Sequence, residues 1–264
     1  MTEKQRLDVL LVEREIADSR NKAAAMIMAA EVSVDGRLVD KPGTFVSSSA
    51  YIRLKEKQRY VSRAGLKLEA ALREFRIDAT EKVCADVGAS TGGFTDCLLQ
   101  AGAARVHAID VGSGILDYGL RRDERVRLLE RTNARYLDSL GELVGLLVVD
   151  VSFISLRHIL PAAKGWLLPQ ADLVALVKPQ FEAGKSDVGK GGIIKDPAVH
   201  RRVLREIAVY ATSCGFSVLD LMRSPITGKK GNVEFLIWLR NGGSSYLDAE
   251  VHALIRSLVD SAFS

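Results

Sequence analysis

Asp86-Val-Gly-Ala-Ser-Thr-Gly-Gly-Phe-Thr-Asp96 follows the short apolar run Lys82-Val83-Cys84-Ala85 and precedes the helix-compatible Cys97-Leu98-Leu99-Gln100. That order reads as strand, glycine loop, helix. Glycines at 88, 92 and 93 permit unusual backbone angles and let a ligand approach the main chain, while the helix start behind them offers free N–H groups. The second glycine of a dinucleotide fingerprint falls on Ser90, and no Gly-Lys-Ser/Thr closes a phosphate loop. A small nucleoside without a charged tail fits better. Taken alone, the three glycines read better as ordinary turn residues.

Two acidic strand ends reverse that preference. Asp86 can take the ammonium of an amino-acid moiety, and Asp110, after the apolar run 106–109 and about 20 residues further on, can take ribose hydroxyls. Together they point to S-adenosylmethionine.

The chain of 264 residues is long enough for one large domain and a small one, and 47% apolar with 27% charged residues is ordinary globular composition, which excludes disordered and fibrous classes. Cys84, Cys97 and Cys214 are odd in number and lack C-x-x-C spacing, so neither a disulfide framework nor a zinc cluster is indicated. The four histidines show no metal-ligand spacing, and no metal is expected. The first eight residues are charged and lack a signal-peptide core, and the apolar stretch 143–149 ends at Asp150, too short for a membrane helix. A cytoplasmic protein with no membrane partner is the expectation, with a monomer favoured.

Charge is unevenly spread. Residues 1–67 hold thirteen Lys/Arg against nine Asp/Glu, an excess of four that equals the net charge of the whole chain. The amino-terminal quarter is therefore the place for a polyanion.

Within that quarter, Leu7, Leu10, Leu11 and Ile16 form a helical stripe, and Asp18-Ser19 caps a second helix carrying Ala23, Ile27 and Ala30. Residues 32–39 alternate about Asp35-Gly36, a hairpin signal, and a further strand at 50–54 follows Lys41-Pro42-Gly43. Arg6, Arg20 and Lys22 stay off the apolar stripe, either as solvated charges or as partners of one phosphate backbone. Arg6-Leu7-Asp8, Ala17-Asp18-Ser19-Arg20, the 32–36 hairpin and Lys41-Pro42-Gly43 resemble the S4 RNA-binding module over about 55 residues, with Ala30-Glu31 where that family usually carries a glycine before the hairpin. The domains expected are an S4-like unit at 1–58, a basic linker at 59–67 and a catalytic domain at 68–264. Tyr60 in the linker either stacks on a base or packs against a domain.

From Leu68 onward, helical stretches alternate with apolar runs at 83–87, 105–109, 126–129, 146–149 and 173–177, which predicts a parallel sheet wrapped by helices. The runs 216–221 and 233–239, separated by Gly228 and Gly231, read as an antiparallel pair at a sheet edge. A closing helix over 246–263 has Ser244 or Ser245 as its cap. The fold class is α/β, a Rossmann-like S-adenosylmethionine-dependent methyltransferase sheet behind a small α+β module.

Asp150 and Lys178 end apolar runs, Glu234 sits in the strand after the glycine turn, and Lys67 closes the linker. Carboxyl ends of strands face the ligand crevice in such sheets. A lysine among carboxylates keeps its charge and orients, whereas one crowded by another cation can act as a base. The residue types suit deprotonation of an alcohol; each one singly reads better as a surface salt-bridge partner, but four at strand ends are harder to dismiss.

Residues 62–67, 86–96, Asp110-Val111-Gly112, 150–155, Lys178-Pro179-Gln180-Phe181 and 231–235 together resemble the TlyA family, which joins an S4 module to an FtsJ-like domain, is described as ribosomal RNA 2′-O-methyltransferases, and carries an older haemolysin label. The resemblance implies a catalytic Lys67, Asp150, Lys178 and Glu234, with Lys178 as base, Asp150 and Glu234 tuning it and Lys67 positioning the ribose. It implies S-adenosylmethionine contacts at Asp86, Gly88, Ser90, Thr91, Gly92, Gly93, Phe94, Asp110, Val111 and Asn133. Expected RNA contacts are Arg6, Arg20, Lys22, Lys41, Arg59 and Arg63, on ribosomal RNA or a ribosomal subunit. Ile115 and Tyr118 stand where Gln and Trp are expected. The loop 184–192 lacks the upstream glycine of a phosphate loop and reads as a mobile basic substrate loop. Two other classes stay open, an RNA-binding assembly factor without turnover and a membrane-acting haemolysin; the second finds no apolar span or basic amphipathic helix to work with.

Overall fold

The computed structural model describes residues 4–55, 58–228, 230–242 and 249–263. Its contacts divide the chain into two units, Met1–Gln58 and Arg59–Ser264.

The first unit runs β1 (Lys4–Arg6), α1 (Leu7–Glu13), α2 (Arg20–Met28), β2 (Val32–Val34), β3 (Arg37–Leu38), β4 (Phe45–Ser47), β5 (Ile52–Leu54). Ser19 caps α2, its hydroxyl accepting from the Lys22 backbone N–H at 3.3 Å. Leu7, Leu10, Leu11, Ala23 and Ile27 from the helices bury against Val32, Val34 and Val46. Asp35 and Gly36 turn β2 into β3 with φ of 48° and 80°, the two left-handed residues that a type I′ turn needs. The Asp35 carboxylate then accepts the Tyr51 N–H at 2.9 Å and ties in the approach to β5.

The second unit contains α3 (Ala64–Glu74), β6 (Val83–Val87), α4 (Gly93–Gln100), β7 (Arg105–Ile109), α5 (Tyr118–Arg122), β8 (Val126–Leu129), β9 (Val144–Val149), α6 (Leu160–Lys164), β10 (Leu167–Val177), α7 (Pro179–Glu182), α8 (Pro197–Ser213), β11 (Phe216–Arg223), β12 (Phe235–Asn241) and α9 (Ala249–Ser261). One sheet has the order β8-β7-β6-β9-β10-β12-β11. Its members from β8 through β10 pair parallel, and β12 runs antiparallel to both neighbours. Alternation along the strands feeds two cores: Ala85, Val87, Leu147 and Val149 pack with α6, α8 and α9, while Cys84, Leu146 and Val148 pack with α3 and α4. β10 is longer than its apolar run because Gln170, at φ 61°, sits in an irregularity that lets Leu167 and Asp172 both pair with β9.

Residues 59–67 are not a free tether within the second unit. α3 already begins at Ala64, and Tyr60 is buried against Gly65, where any Cβ would overlap its ring. The Val61 N–H donates to Asp96 at 2.8 Å, and the Gln100 side chain donates to the Arg59 carbonyl at 3.0 Å. Of the two roles open to Tyr60, packing is the one seen. The cap at Ser244 or Ser245 lies outside the described residues.

Ala30, where the S4 pattern usually has glycine, adopts φ 54°. An alanine in that region carries roughly 1 kcal/mol of strain. Ala30→Gly is expected to stabilise the first unit by about 0.5–1 kcal/mol, read as a raised denaturation midpoint; an unchanged or lowered midpoint would contradict the strain.

Candidate active site

The loop after β6 turns sharply because Gly88, at φ 86°, lies against the end of β9: a Cβ there would sit 2.5 Å from the Asp150 carbonyl oxygen. Gly88 and Ala89 donate to the Ile109 carbonyl at 2.8 and 3.1 Å, so the loop is sewn to the end of β7. Asp110 completes the seam, its two oxygens accepting from the Ser90 N–H at 2.8 Å and the Gly112 N–H at 2.7 Å. Gly92, at φ 96°, caps α4, and Gly93 brings α4 so close to α3 that a side chain would collide with Ser62.

The carboxyl ends of β6, β7 and β9 open on a cavity of about 390 Å³. Gly88, Ser90, Asp110, Val111 and Asn133 line one part of it, and Asp150, Ser152, Phe153, Ile154 and Ile159 another. That volume suits a small organic ligand. Asn133 also caps the following turn, accepting from the Arg135 N–H at 3.1 Å.

Five expected cofactor residues do not line the cavity. Thr91, Gly92, Gly93 and Phe94 shape the loop and helix behind it, and Phe94 is a core residue packed with α3. Asp86 is fully buried on the α4 side of β6, the face opposite Val87 in the strand alternation. The Thr95 hydroxyl donates to its Oδ2 at 2.7 Å, while its Oδ1 has no hydrogen-bond partner. Burial drives the Asp86 carboxyl up to about 7, against a smaller opposing pull from Thr95 and with help from Asp150 and Asp110.

The four expected catalytic residues form two ion pairs. Lys67, on the first turns of α3, pairs with Glu234, both nearly buried. Gly228 packs over that carboxylate so closely that a Cβ would overlap it. Lys178, held extended ahead of Pro179, lies 2.6 Å from Asp150 Oδ1 and donates to Ser152 Oγ at 2.8 Å. Glu234 thus serves Lys67, not Lys178, and Asp150 is the carboxylate on Lys178.

The sequence pattern gave no sign of Glu182. Its carboxylate, raised by burial, accepts from the Ser155 hydroxyl at 2.5 Å and the Leu156 N–H at 2.8 Å, fastening the loop after β9 to the turn after β10. Nor is the 184–192 stretch a loose excursion at its far end: Asn232 donates to the Gly192 carbonyl at 2.8 Å and accepts from the Ile194 N–H at 3.1 Å. Phe153, 90% exposed at φ 64°, leans on Phe181 with ring centroids 4.9 Å apart.

The expected RNA contacts fall in several surroundings. Arg6 and Arg20 both bind Asp8, Lys22 pairs with Asp18, and Arg59 pairs with Glu69. Lys41 and Arg63 are exposed. Among the described residues no cluster of His, Cys, Asp and Glu could hold a metal, and no helix is long and apolar enough to cross a membrane.

A parallel sheet reversed at β12, with its cavity at the strand ends and Asp150, paired with Lys178, in the cavity wall, defines a Rossmann-like methyltransferase. A model described as FtsJ-like methyltransferase matches residues 60–241, and an S4 domain model matches residues 5–50. The chain is 44% identical over 254 residues to the Mycobacterium tuberculosis H37Rv protein named 16S/23S rRNA (cytidine-2′-O)-methyltransferase TlyA, with 95% of each covered. It is 42% identical over 234 residues to Hemolysin A of Brachyspira hyodysenteriae, covering 88% of this chain and 98% of that one. A solved structure from Streptococcus thermophilus, described as a candidate hemolysin, shares 42% identity with a TM-score of 0.74 over 100% of this chain and 97% of that one. The chain belongs to the FtsJ-like methyltransferase family, within the TlyA group that carries an S4 domain.

Asp86 gives the site a pH signature. Its folded pKa of about 7 exceeds an unfolded value of about 4, so its stabilising contribution is whole below about pH 4 and is lost as pH rises through 7. Asp86→Asn is expected to flatten the fall in unfolding free energy between about pH 4 and 8, a difference on the order of 4 kcal/mol at most, measured by denaturant titrations across that range. An identical slope in the two proteins would contradict a neutral buried carboxyl.

Proposed function

We propose that the protein is an S-adenosylmethionine-dependent 2′-O-ribose methyltransferase acting on ribosomal RNA in the cytoplasm. The observation that carries this reading is Lys178, held by Asp150 and Ser152 where both line the cavity. Its hydrogen bond to Ser152 and its ion pair with Asp150 hold the nitrogen between two lining residues, which leaves the remainder of the nitrogen for a substrate hydroxyl.

The residues present suit the methyl donor. Gly88 leaves bare backbone where a side chain would strike Asp150, Asp110 is held by two backbone N–H groups with lone pairs to spare, and Val111 and Ile159 supply apolar wall. Gly88, Ser90, Asp110, Val111 and Asn133 would hold the donor directly, and Asp86, Thr91, Gly92, Gly93 and Phe94 would set the loop from behind. Bound there, the sulfonium supplies an electrophilic methyl group.

To act as base, Lys178 first gives a proton to solvent; its freed lone pair then takes the proton of the ribose 2′-hydroxyl as the oxygen–hydrogen bond breaks and a nitrogen–hydrogen bond forms. Asp150 then holds the ammonium that results, and Ser152 fixes its direction. The Lys67–Glu234 pair keeps a second cation near the reacting centre. In-line placement of oxygen and methyl carbon contributes more than covalent help in such a transfer. Phe153 offers a ring face on which the target base can stack. The Mycobacterium tuberculosis relative is named for cytidine-2′-O methylation of 16S and 23S rRNA, which supports this choice of acceptor.

Incubation with methyl-labelled S-adenosylmethionine and purified ribosomal subunits tests the reading. Labelled RNA is expected from the wild type, and Lys178→Ala is expected to lose at least about 100-fold in rate, the scale of general-base catalysis, with donor affinity within about threefold of wild type. No label in either subunit or its free RNA would overturn it in favour of a binding factor without turnover.

A further inference from the structure

The first unit contains a buried carboxylate that the catalytic reading does not use. Asp8, on the first turn of α1, is 4% exposed at its side chain, yet three guanidinium nitrogens converge on it. Arg6 donates from Nε to Oδ1 at 3.0 Å and from Nη2 to Oδ2 at 2.9 Å, and Arg20 donates from Nε to Oδ2 at 2.8 Å. The two arginines come from β1 and the start of α2, and their side chains stay 41% and 57% exposed. Arg6 also lies along Gly43, where a Cβ would approach its Nη atoms to 3.4 Å.

This arrangement leaves donors to spare. Among the described residues Arg20 spends only Nε on Asp8, so its two Nη groups form a free fork, and Arg6 keeps Nη1 and one hydrogen on Nη2. A planar fork matches a phosphate oxygen pair, and fixing it beforehand reduces the entropy lost on binding. Two like charges would otherwise separate. The shared carboxylate, kept well below the usual carboxylate range chiefly by its Arg6 hydrogen bonds and then by Arg20, holds them together and leaves one positive charge over.

We infer that Asp8 is a positioning residue for RNA binding: it joins Arg6 and Arg20 into one preset clamp for a backbone phosphodiester. The inference rests on the RNA-acting reading above. Its consequence runs against simple Coulomb expectation, since removing a negative charge from a basic surface should then weaken binding to a polyanion.

The test is full-length protein titrated into transcribed 16S and 23S rRNA over a series of salt concentrations, read as a double-mutant cycle. In the wild-type background Asp8→Asn is expected to weaken binding about fivefold or more and to reduce the slope of log affinity against log salt by about one. In an Arg6→Gln/Arg20→Gln background the same substitution is expected to leave affinity unchanged or to raise it, because the groups it positions are gone. Arg20→Lys keeps the charge but lacks the fork, and is expected to weaken binding as well. Undiminished affinity of Asp8→Asn in the wild-type background, equal weakening in both backgrounds, or wild-type affinity of Arg20→Lys would overturn the inference. Wild-type protein that binds neither RNA would overturn the ribosomal RNA reading along with it, whereas wild-type binding with an indifferent Asp8→Asn overturns the clamp alone.

Discussion

The close approach of Gly88 to the Asp150 backbone sets the geometry on which the second unit depends. β6 is the strand from which the sheet extends both ways, toward β7 on one side and β9 on the other. At its end the chain has to leave without covering the crevice. A bare Cα allows the loop to pass where a Cβ would sit 2.5 Å from the Asp150 carbonyl oxygen, and the Asp150 N–H donates back to the Val87 carbonyl at 2.8 Å. Once that contact exists, the Asp150 side chain is committed to the cavity rim, and Lys178 on the neighbouring strand finds it. Loop, rim carboxylate and lysine thus follow from one steric allowance.

The two ion pairs of the second unit are hard to explain as sources of stability. Burying a lysine and a carboxylate together roughly breaks even against a hydrophobic pair, although removing one partner costs about 3–5 kcal/mol. Both pairs also bridge distant sequence: Lys67 meets Glu234, and Lys178 meets Asp150. Each lysine therefore has one dedicated carboxylate, so Glu234 orients Lys67 and leaves Lys178 to Asp150 and Ser152. A sheet that needed only to fold could have filled these positions with aliphatic side chains, as it does one residue earlier at Val149 and Val177.

Much of this was legible in sequence where the signal is local. The runs at 83–87, 105–109 and 126–129 coincide with β6, β7 and β8 because a buried parallel strand is a short apolar run between turn residues. The Asp-Gly hairpin and the Ser19 cap rest on equally local chemistry. Partnership of side chains is not local, and there the reading ran out. Strand alternation sends Asp86 behind the sheet face that its place at the strand end suggested, and Phe94 turns into the core with α3. Glu182 was invisible because nothing in Pro-Gln-Phe-Glu announces that a carboxylate will fold back on Ser155 and Leu156. The segment at 59–63 looked like a tether by composition, and only packing against Gly65 and Asp96 shows that it has joined the second unit.

The ratio of cations to carboxylates separates the two basic sites. In the two ion pairs of the second unit, two lysines face two carboxylates, and the set is neutral, so a reacting hydroxyl at Lys178 meets oriented groups rather than a strong field. Around Asp8 two guanidiniums share a single carboxylate, and the unmatched charge faces solvent on exposed side chains. Of the excess in residues 1–67, one charge falls in the first unit, and Arg59, Arg63 and Lys67 in the second unit carry the other three. Under the proposed function the glycine loop at 86–96 holds the donor, while the two internally neutral ion pairs of the second unit add no net charge with which to select an RNA.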